Sequence, residues 1–267
     1  MGADIRNLRN RIKSVNSTLH LTKAMGLVAS SKMRRATDAM IKGRSYAQAV
    51  QEMVALLCQS PECKKSPYLE ARTGERTRLI VIAGDRGLAG GYNANVFRLT
   101  AEYPDAEIVP IGKRACERYR SPIRTVEGYS SADAAELARQ LCEEFRDGAF
   151  DRLGIVRTRY VSLMSQQAEI QWIFPLEPKE PEHGAGVLFE PDELTILEAA
   201  IPEYVSGMIS AAVRESFASE VAARRMAMDS AGKNAQEMID DLQLQYNRAR
   251  QSAITQEITE IVAGGGS

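Results

Sequence analysis

The stretch with the most chemical promise is Gly84-Asp85-Arg86-Gly87-Leu88-Ala89-Gly90-Gly91-Tyr92-Asn93. It follows a short β-branched run, Leu79–Ala83, and opens a helical pattern. A dinucleotide-binding fold keeps its phosphate loop at such a strand-to-helix turn. The spacing differs, however: there is neither a G-x-G-x-x-G nor the G-K-[ST] of a P-loop. Asp85 would set a negative charge beside any pyrophosphate. Glycines at such a turn also meet a bare backbone need, positive φ or close approach, with no ligand at all. The residues favour that ligand-free reading.

Other candidate groups are sparse. The two histidines are His20, at a flank position within a long helical pattern, and His183, in a proline-rich turn. The four cysteines, Cys58, Cys63, Cys116 and Cys142, make no metal-binding spacing, and a single C-x4-C is a weak signal. They read as reduced thiols in a cytosolic setting. No serine, cysteine or carboxylate stands in a recognisable nucleophile or acid/base motif. The chain is expected to be no enzyme, with no cofactor and no metal.

The elements around these residues are more informative. Ile5, Leu8, Ile12, Val15, Leu19, Thr22, Gly26, Ala29, Met33, Ala36, Met40, Gly43, Ala47, Val50, Val54 and Leu57 alternate three and four apart, without a proline. That is an a/d heptad seam over residues 3–58. At 1.5 Å per residue the helix would run to roughly 80 Å, and a helix that long needs a partner along its length. Residues 207–262 supply one: Phe217, Val221, Met228, Ala231, Ala235, Met238 and Leu242 repeat in the same way, with Arg224 as the odd member. Thr22, Gly26, Ala29, Ala231 and Ala235 are small, which lets two helix axes approach closely. Beyond Leu242 the seam turns polar through Gln245, Ala249, Ser252 and Gln256, while the apolar residues shift to Leu244, Ile254, Ile258 and Ile261. A helix that changes its apolar face near its end is changing partner; fraying is the plainer alternative.

Between the two helices the style changes. Residues 61–76 read as a linker. Leu79–Ala83, Glu107–Ile111, Ile123–Val126, Ile155–Leu163 and Ala168–Phe174 read as strands, and 93–103, 112–119 and 132–146 as helices, the last capped by Ser131 and stopped by Gly148. The alternation predicts a small Rossmann-like α/β domain with a largely parallel sheet. The fold class is thus α/β plus a long antiparallel coiled coil in which the N- and C-terminal helices pair. Its parts are 1–60, 77–176, a turn-rich return segment 177–206 carrying Pro178, Pro181, Pro191 and Pro202, and 207–262. The closing Gly264–Ser267 run reads either as a natural flexible tail or as an appended scar, and the residues favour neither.

Composition narrows the function classes. Residues 1–50 hold ten Lys/Arg against Asp4 and Asp38, a net of +8 in a chain whose total is −1. A basic helix can meet nucleic acid, a membrane surface or an acidic protein. No aromatic residues interleave for base stacking, which argues against nucleic acid. No run reaches the ~20 apolar residues of a membrane span, so no direct membrane insertion is expected. The charged, amphipathic start does not fit a secretory signal.

Several runs together resemble one family. Ile5-Arg6 through Ile12, Leu21-Thr22-Lys23-Ala24-Met25, Ala29-Ser30-Ser31-Lys32-Met33, the Asp85–Asn93 loop, Arg225-Met226-Ala227-Met228 and the run Tyr246–Ile261 look like the gamma subunit of rotary ATP synthases. Two departures are Gly26, where the family often has an acidic residue, and Ala89, often cysteine there. The resemblance implies a central shaft inside a ring of alpha and beta subunits, with a foot that binds the epsilon subunit and the ring of membrane c subunits. It implies a peripheral place at the cytoplasmic face of the cell membrane. It also implies an interface with the beta subunit through Lys23, Met25, Arg250, Gln251, Thr255 and Glu257, and a central-domain loop of Asp85, Arg86, Gly87, Gly90, Gly91 and Asn93. A coiled-coil scaffold with unrelated partners and a nucleotide-binding α/β protein are the alternatives.

Overall fold

A computed structural model describes residues 2–70, 72, 74–177 and 189–264. The element order is α1 (Gly2–Leu57), β1 (Thr77–Ile82), α2 (Tyr92–Thr100), β2 (Glu107–Ile111), α3 (Lys113–Arg118), α4 (Ser131–Arg146), β3 (Arg152–Tyr160), β4 (Gln166–Phe174) and α5 (Glu193–Gly264). Two compact units result: one joins the start of α1, up to Ser30, to α5 from Arg225 onward, and the other spans Ser31–Arg224.

In the first unit the two helices run antiparallel. Leu19 packs with Ala235 and Ile239, a Cβ at Gly26 would sit 3.7 Å from that of Met228, and Arg9 donates to the Tyr246 hydroxyl at 2.9 Å. Numbers rise on one helix as they fall on the other. Every expected α1 seam residue is buried or half-buried. On α5 the seam needs one correction: Met238 is 45% exposed and Ile239 lies inside in its place. An ideal helix drifts against a strict seven-residue repeat, so the buried stripe moves on by one position.

In the second unit the sheet order is β2-β1-β3-β4. β1 pairs parallel with β2 and β3, and β4 runs antiparallel to β3. The β3–β4 connection is a short turn, 161–165, and so short a link can only join antiparallel neighbours. Ile80, Ile82, Leu153, Ile155 and Ile173 turn one face of the sheet toward α1, α4 and α5; Leu79, Val81 and Val156 turn the other toward α2 and α3. Tyr68, Phe145, Phe150 and Phe174 form a continuous ring cluster, with Phe145 and Phe174 centroids 4.6 Å apart. Each fully buried large side chain contributes about 1.5–3 kcal/mol. Residues 61–70 are anchored to this core, since Cys63 and Tyr68 are buried.

Three expected elements differ. Ile123–Val126 is not a strand: Gly112 N–H donates to the Arg124 carbonyl at 2.7 Å, and the Val126 and Glu127 amides go to the Asp85 carboxylate, so no neighbouring strand pairs with it. α4 is capped by Ser130, one residue earlier than expected, in a reciprocal capping box with Asp133. α5 starts at Glu193 rather than at 207, with Pro202 inside it. Asp192 caps that start by accepting from the Thr195 amide at 2.8 Å, and buried Leu197, Ile201 and Val205 offset the hydrogen bond a proline cannot make. α5 also contains one stretch apolar enough by composition to span a membrane; 67% of it is buried in protein, so core packing accounts for its apolarity. Pro178, Pro181, His183 and the 265–267 tail lie outside the described residues.

Two stability tests follow from this unit. Gly112 has φ +96, and a Cβ there would lie 1.8 Å from the Ala83 carbonyl oxygen. Gly112→Ala is expected to lower unfolding free energy by at least about 2 kcal/mol in denaturant titration, while Gly91→Ala, with nothing nearer than 3.8 Å, leaves the midpoint unchanged.

The second test concerns Asp151, which accepts from the Arg76 amide and, through both oxygens, from its guanidinium. The Arg76 side-chain hydrogen bond holds the Asp151 carboxyl below its ordinary range. A lowered folded-state pKa means stability that is whole above the unfolded value and lost as pH falls through the folded one. Asp151→Asn is therefore expected to flatten the loss of stability below about pH 4, read from melting temperatures across an acid series.

Candidate functional site

The glycine loop after β1 is a braced structure. Asp85 accepts from three backbone amides: Lys113 at 3.1 Å, Val126 at 2.9 Å and Glu127 at 3.0 Å. Its charge is therefore used within the fold, tying the loop to α3 and to the 124–127 segment. Asn93 at the head of α2 accepts from the Gly84 amide at 2.8 Å and donates to the Arg86 carbonyl. Leu88 has φ 60, a conformation that costs a non-glycine residue about 1–2 kcal/mol, so the surroundings must hold it.

α5 provides that hold. Glu220, 2% exposed, accepts from the Arg86 amide and from Arg224. Arg224 then donates to the Gly87 carbonyl at 3.3 Å and the Arg86 carbonyl at 3.4 Å. A Cβ at Gly84 would meet Glu220 Cδ at 2.7 Å, so the loop and α5 touch through the missing side chain. Ser216 takes the Tyr92 hydroxyl on its carbonyl and the Thr158 amide on its hydroxyl; Ser219 donates to the Thr158 carbonyl. In an open α/β sheet ligands bind beyond the carboxyl ends of the strands, where the order reverses. Here that crevice, above β1 and β3, is filled by α5 and carries the Glu220 carboxylate.

Glu220 and Arg224 are residues the sequence reading missed as a site. One signal was present: Arg224 interrupts an otherwise apolar seam. A half-buried arginine must find acceptors, and Glu220 and the loop carbonyls are those acceptors.

The predicted interface residues fall in two places. Lys23 is exposed and Met25 half-buried on α1; Arg250, Gln251, Thr255 and Glu257 are exposed on α5. With Arg9 opposite Tyr246, Arg250 lies level with the first turns of α1, about 27 Å along the pair from Lys23. The structure thus does not bring the two groups together. In the same register residues beyond about 252 pass the described start of α1. Ile254, Ile258 and Ile261 are correspondingly 43%, 56% and 73% exposed.

The thiols are unsuited to nucleophilic work. All four cysteines are free and buried. Burial pushes the Cys58 thiol up to about 11 and Cys142 up to about 12, so both stay protonated at neutral pH. His20 is exposed on α1. An open groove of about 720 Å³ lies beside Arg44, Arg157 and Glu215, and these charges are already paired with one another.

Comparison with known proteins gives a consistent picture. A family model described as ATP synthase matches residues 4–267. The chain is 40% identical over 277 residues to the ATP synthase gamma chain of Ruminococcus albus, covering 97% of this chain and 96% of that one. It is 37% identical over 276 residues to the ATP synthase gamma chain of Moorella thermoacetica, covering 98% of each. Among solved structures, a chain of the Euglena gracilis mitochondrial ATP synthase (OSCP/F1/c-ring) aligns with TM-score 0.65 at 20% identity, over 99% of this chain and 94% of that one. A chain of the Tetrahymena thermophila mitochondrial ATP synthase central stalk and c-ring aligns with TM-score 0.62 at 23% identity, over 79% of this chain and 99% of that one. At those identities the structural likenesses speak to the fold.

The brace on the loop can be tested directly. Arg224→Met keeps the length of the side chain but leaves Glu220 buried without its cation. The expected cost is roughly 3 kcal/mol, with amide exchange at Arg86 and Leu88 faster by about tenfold or more. Exchange at those amides equal to the unmodified chain's would show that Asp85 and Asn93 hold the loop alone.

Proposed function

The chain belongs to the ATP synthase gamma-chain family, and on that premise we propose that it is the central rotor shaft of such a synthase. In this reading it is a non-catalytic subunit. It turns inside the alpha and beta subunits of the catalytic head, with epsilon and the c-subunit ring at its foot. Ion flow through the membrane turns the ring, and the shaft transmits that rotation to ATP synthesis or hydrolysis in the head. It works as a peripheral part of the complex at the cytoplasmic face of the cell membrane.

What supports the reading is curated relatives named gamma chains over nearly the full length. The physical observation that carries it is the end of α5. Ile254, Ile258 and Ile261 repeat at helical spacing on a stretch of α5 that runs past the described start of α1, and all three are exposed. An apolar face sustained in that way calls for a surrounding sleeve. Thr255 and Thr259 turn their hydroxyls back onto the Gln251 and Thr255 carbonyls, so these two side chains find acceptors within the helix itself.

Within that reading, Lys23, Met25, Arg250, Gln251, Thr255 and Glu257 are the beta-facing contacts. The Asp85–Asn93 loop is a braced feature of the foot domain. Coupling is by differential contact: an asymmetric shaft presents a different face to each beta subunit and so favours a different state in each.

Arg250 offers the sharpest test. A guanidinium can hold a carboxylate through two parallel hydrogen bonds and stays charged at any working pH. A contact made and broken every turn should be moderate, about 1.5–3 kcal/mol. Arg250→Ala is expected to slow ATP turnover of the assembled complex about tenfold or more while assembly survives, and Lys to rescue only in part. Turnover at the unmodified rate would reduce Arg250 to a solvent-exposed charge worth under ~1 kcal/mol.

A further inference from the structure

Within the second unit, α1 and α5 meet through small side chains. Ala36, Met40 and Ala218 pack as one cluster, and a Cβ at Gly43 would lie 3.5 Å from the Ala211 Cα. Such a seam brings the helices close but says little about their axial register. The α1 pattern is nearly self-similar after seven residues. A slip of one heptad would put Ala36 where Gly43 sits and Met33 where Met40 sits, but also Met40 where Ala47 sits and Gly43 where Val50 sits.

Alongside the core contacts of Val54 and Leu57 and the Lys32–Glu127 pair, one buried polar group also opposes such a slip. Glu215 on α5 is 1% exposed. Its Oε1 accepts from Arg44 of α1 at 2.6 Å and from the Tyr160 amide of β3 at 3.0 Å; its Oε2 accepts from Arg157 of β3 at 2.9 Å. Arg44 also donates to the Tyr160 carbonyl at 2.8 Å, and Arg157 reaches on to Glu169 of β4 at 2.9 Å. One carboxylate is thus held by a helix and a strand at once. After a heptad slip Thr37 would stand at the Arg44 position, and Glu215 would lose the cation that α1 provides. Removing one partner of a buried pair is strongly destabilising, whereas an apolar replacement of the whole group is often neutral or better. Setting helix register is the best-attested use of such a group.

We propose that Glu215 is a positioning residue of the rotor: with Arg44 and Arg157 it locks α1, α5 and β3 in a single axial register, and tight coupling of rotation to turnover depends on that lock. The second half rests on the rotor reading above; the first half concerns this chain alone.

The experiment has two arms. In the full chain, Ala211→Cys is combined with Gly43→Cys to report the native register, or with Ala36→Cys to report the slipped one. Each pair is oxidised in the unmodified background, in Glu215→Gln, and in an apolar set, Glu215→Leu with Arg44→Leu and Arg157→Met, chosen to fold even if Gln does not. The native background should cross-link only through Gly43→Cys. The apolar set should cross-link through Ala36→Cys at ten times the native background or more. Cross-linking through Gly43→Cys alone in both variants would overturn the lock. In the second arm the chains are assembled with the head and c ring in vesicles. The apolar set should hydrolyse ATP at a near-native rate while pumping at most half as many ions per ATP. Slipped cross-links with an unchanged ion-to-ATP ratio would overturn the role in coupling. Failure of the rotor reading would appear separately, as an unmodified chain that does not assemble at all.

Discussion

The close approach of two helices through small residues is the constraint that the rest of the structure answers to. In one unit Gly26 lies against Met228, and in the other Gly43 lies against Ala211. Small side chains give short interaxial distance at the expense of buried area, so the pair cannot rely on seam contacts alone. Each unit adds a polar fastening. Arg9 and Tyr246 serve in the first, where the arginine hydrogen bond also lowers the tyrosine pKa. Glu215, with arginines from α1 and β3, serves in the second.

The same need for covered surface explains what became of the α/β domain. A Rossmann-like sheet leaves a crevice where its strand order reverses, and a ligand is the usual occupant. Here the occupant is a helix of the same chain. Ser216, Ser219 and Glu220 take hydrogen bonds or make them with the glycine loop after β1, the start of α2 and β3. The glycine loop keeps the backbone geometry of a binding loop because close approach of a carboxylate requires it, as at Gly84. The domain is anchored on α5 through that crevice.

Most of this was legible in the sequence where periodicity is strong. The α1 seam was readable residue by residue, because sixteen positions in strict three-four alternation have no other helical explanation. The resemblance carried the family. Local punctuation was less reliable. Pro191 and Pro202 suggested that α5 begins after residue 206, yet buried Leu197, Ile201 and Val205 hold the helix together through the proline. Ile123–Val126 has strand-like residues, but the Val126 amide and that of the following Glu127 go to one distant carboxylate, Asp85, which no local pattern could show. Met238 was assigned inward by a rigid seven-residue count that a real helix does not keep. The Glu220–Arg224 brace was hidden in plain view, since an arginine in a seam looks like an error until the loop carbonyls are in place.

A shaft that must be gripped and released on each turn cannot satisfy its own contact groups too well. Moving a two-state site from almost wholly one state to almost wholly the other takes roughly 5.5 kcal/mol of differential affinity. A single charged hydrogen bond of about 1.5–3 kcal/mol falls short of that, so the difference must be shared among several positions. The candidate residues fit such sharing: Lys23 and Arg250 lie far apart along the paired helices, and both are exposed. The strongly satisfied charges, Glu215 and Glu220, are buried and tie elements of the chain to one another. Burial separates the two jobs. Buried ion pairs hold the chain's own geometry fixed, and in the proposed reading the exposed, singly modest groups are the ones that meet partners.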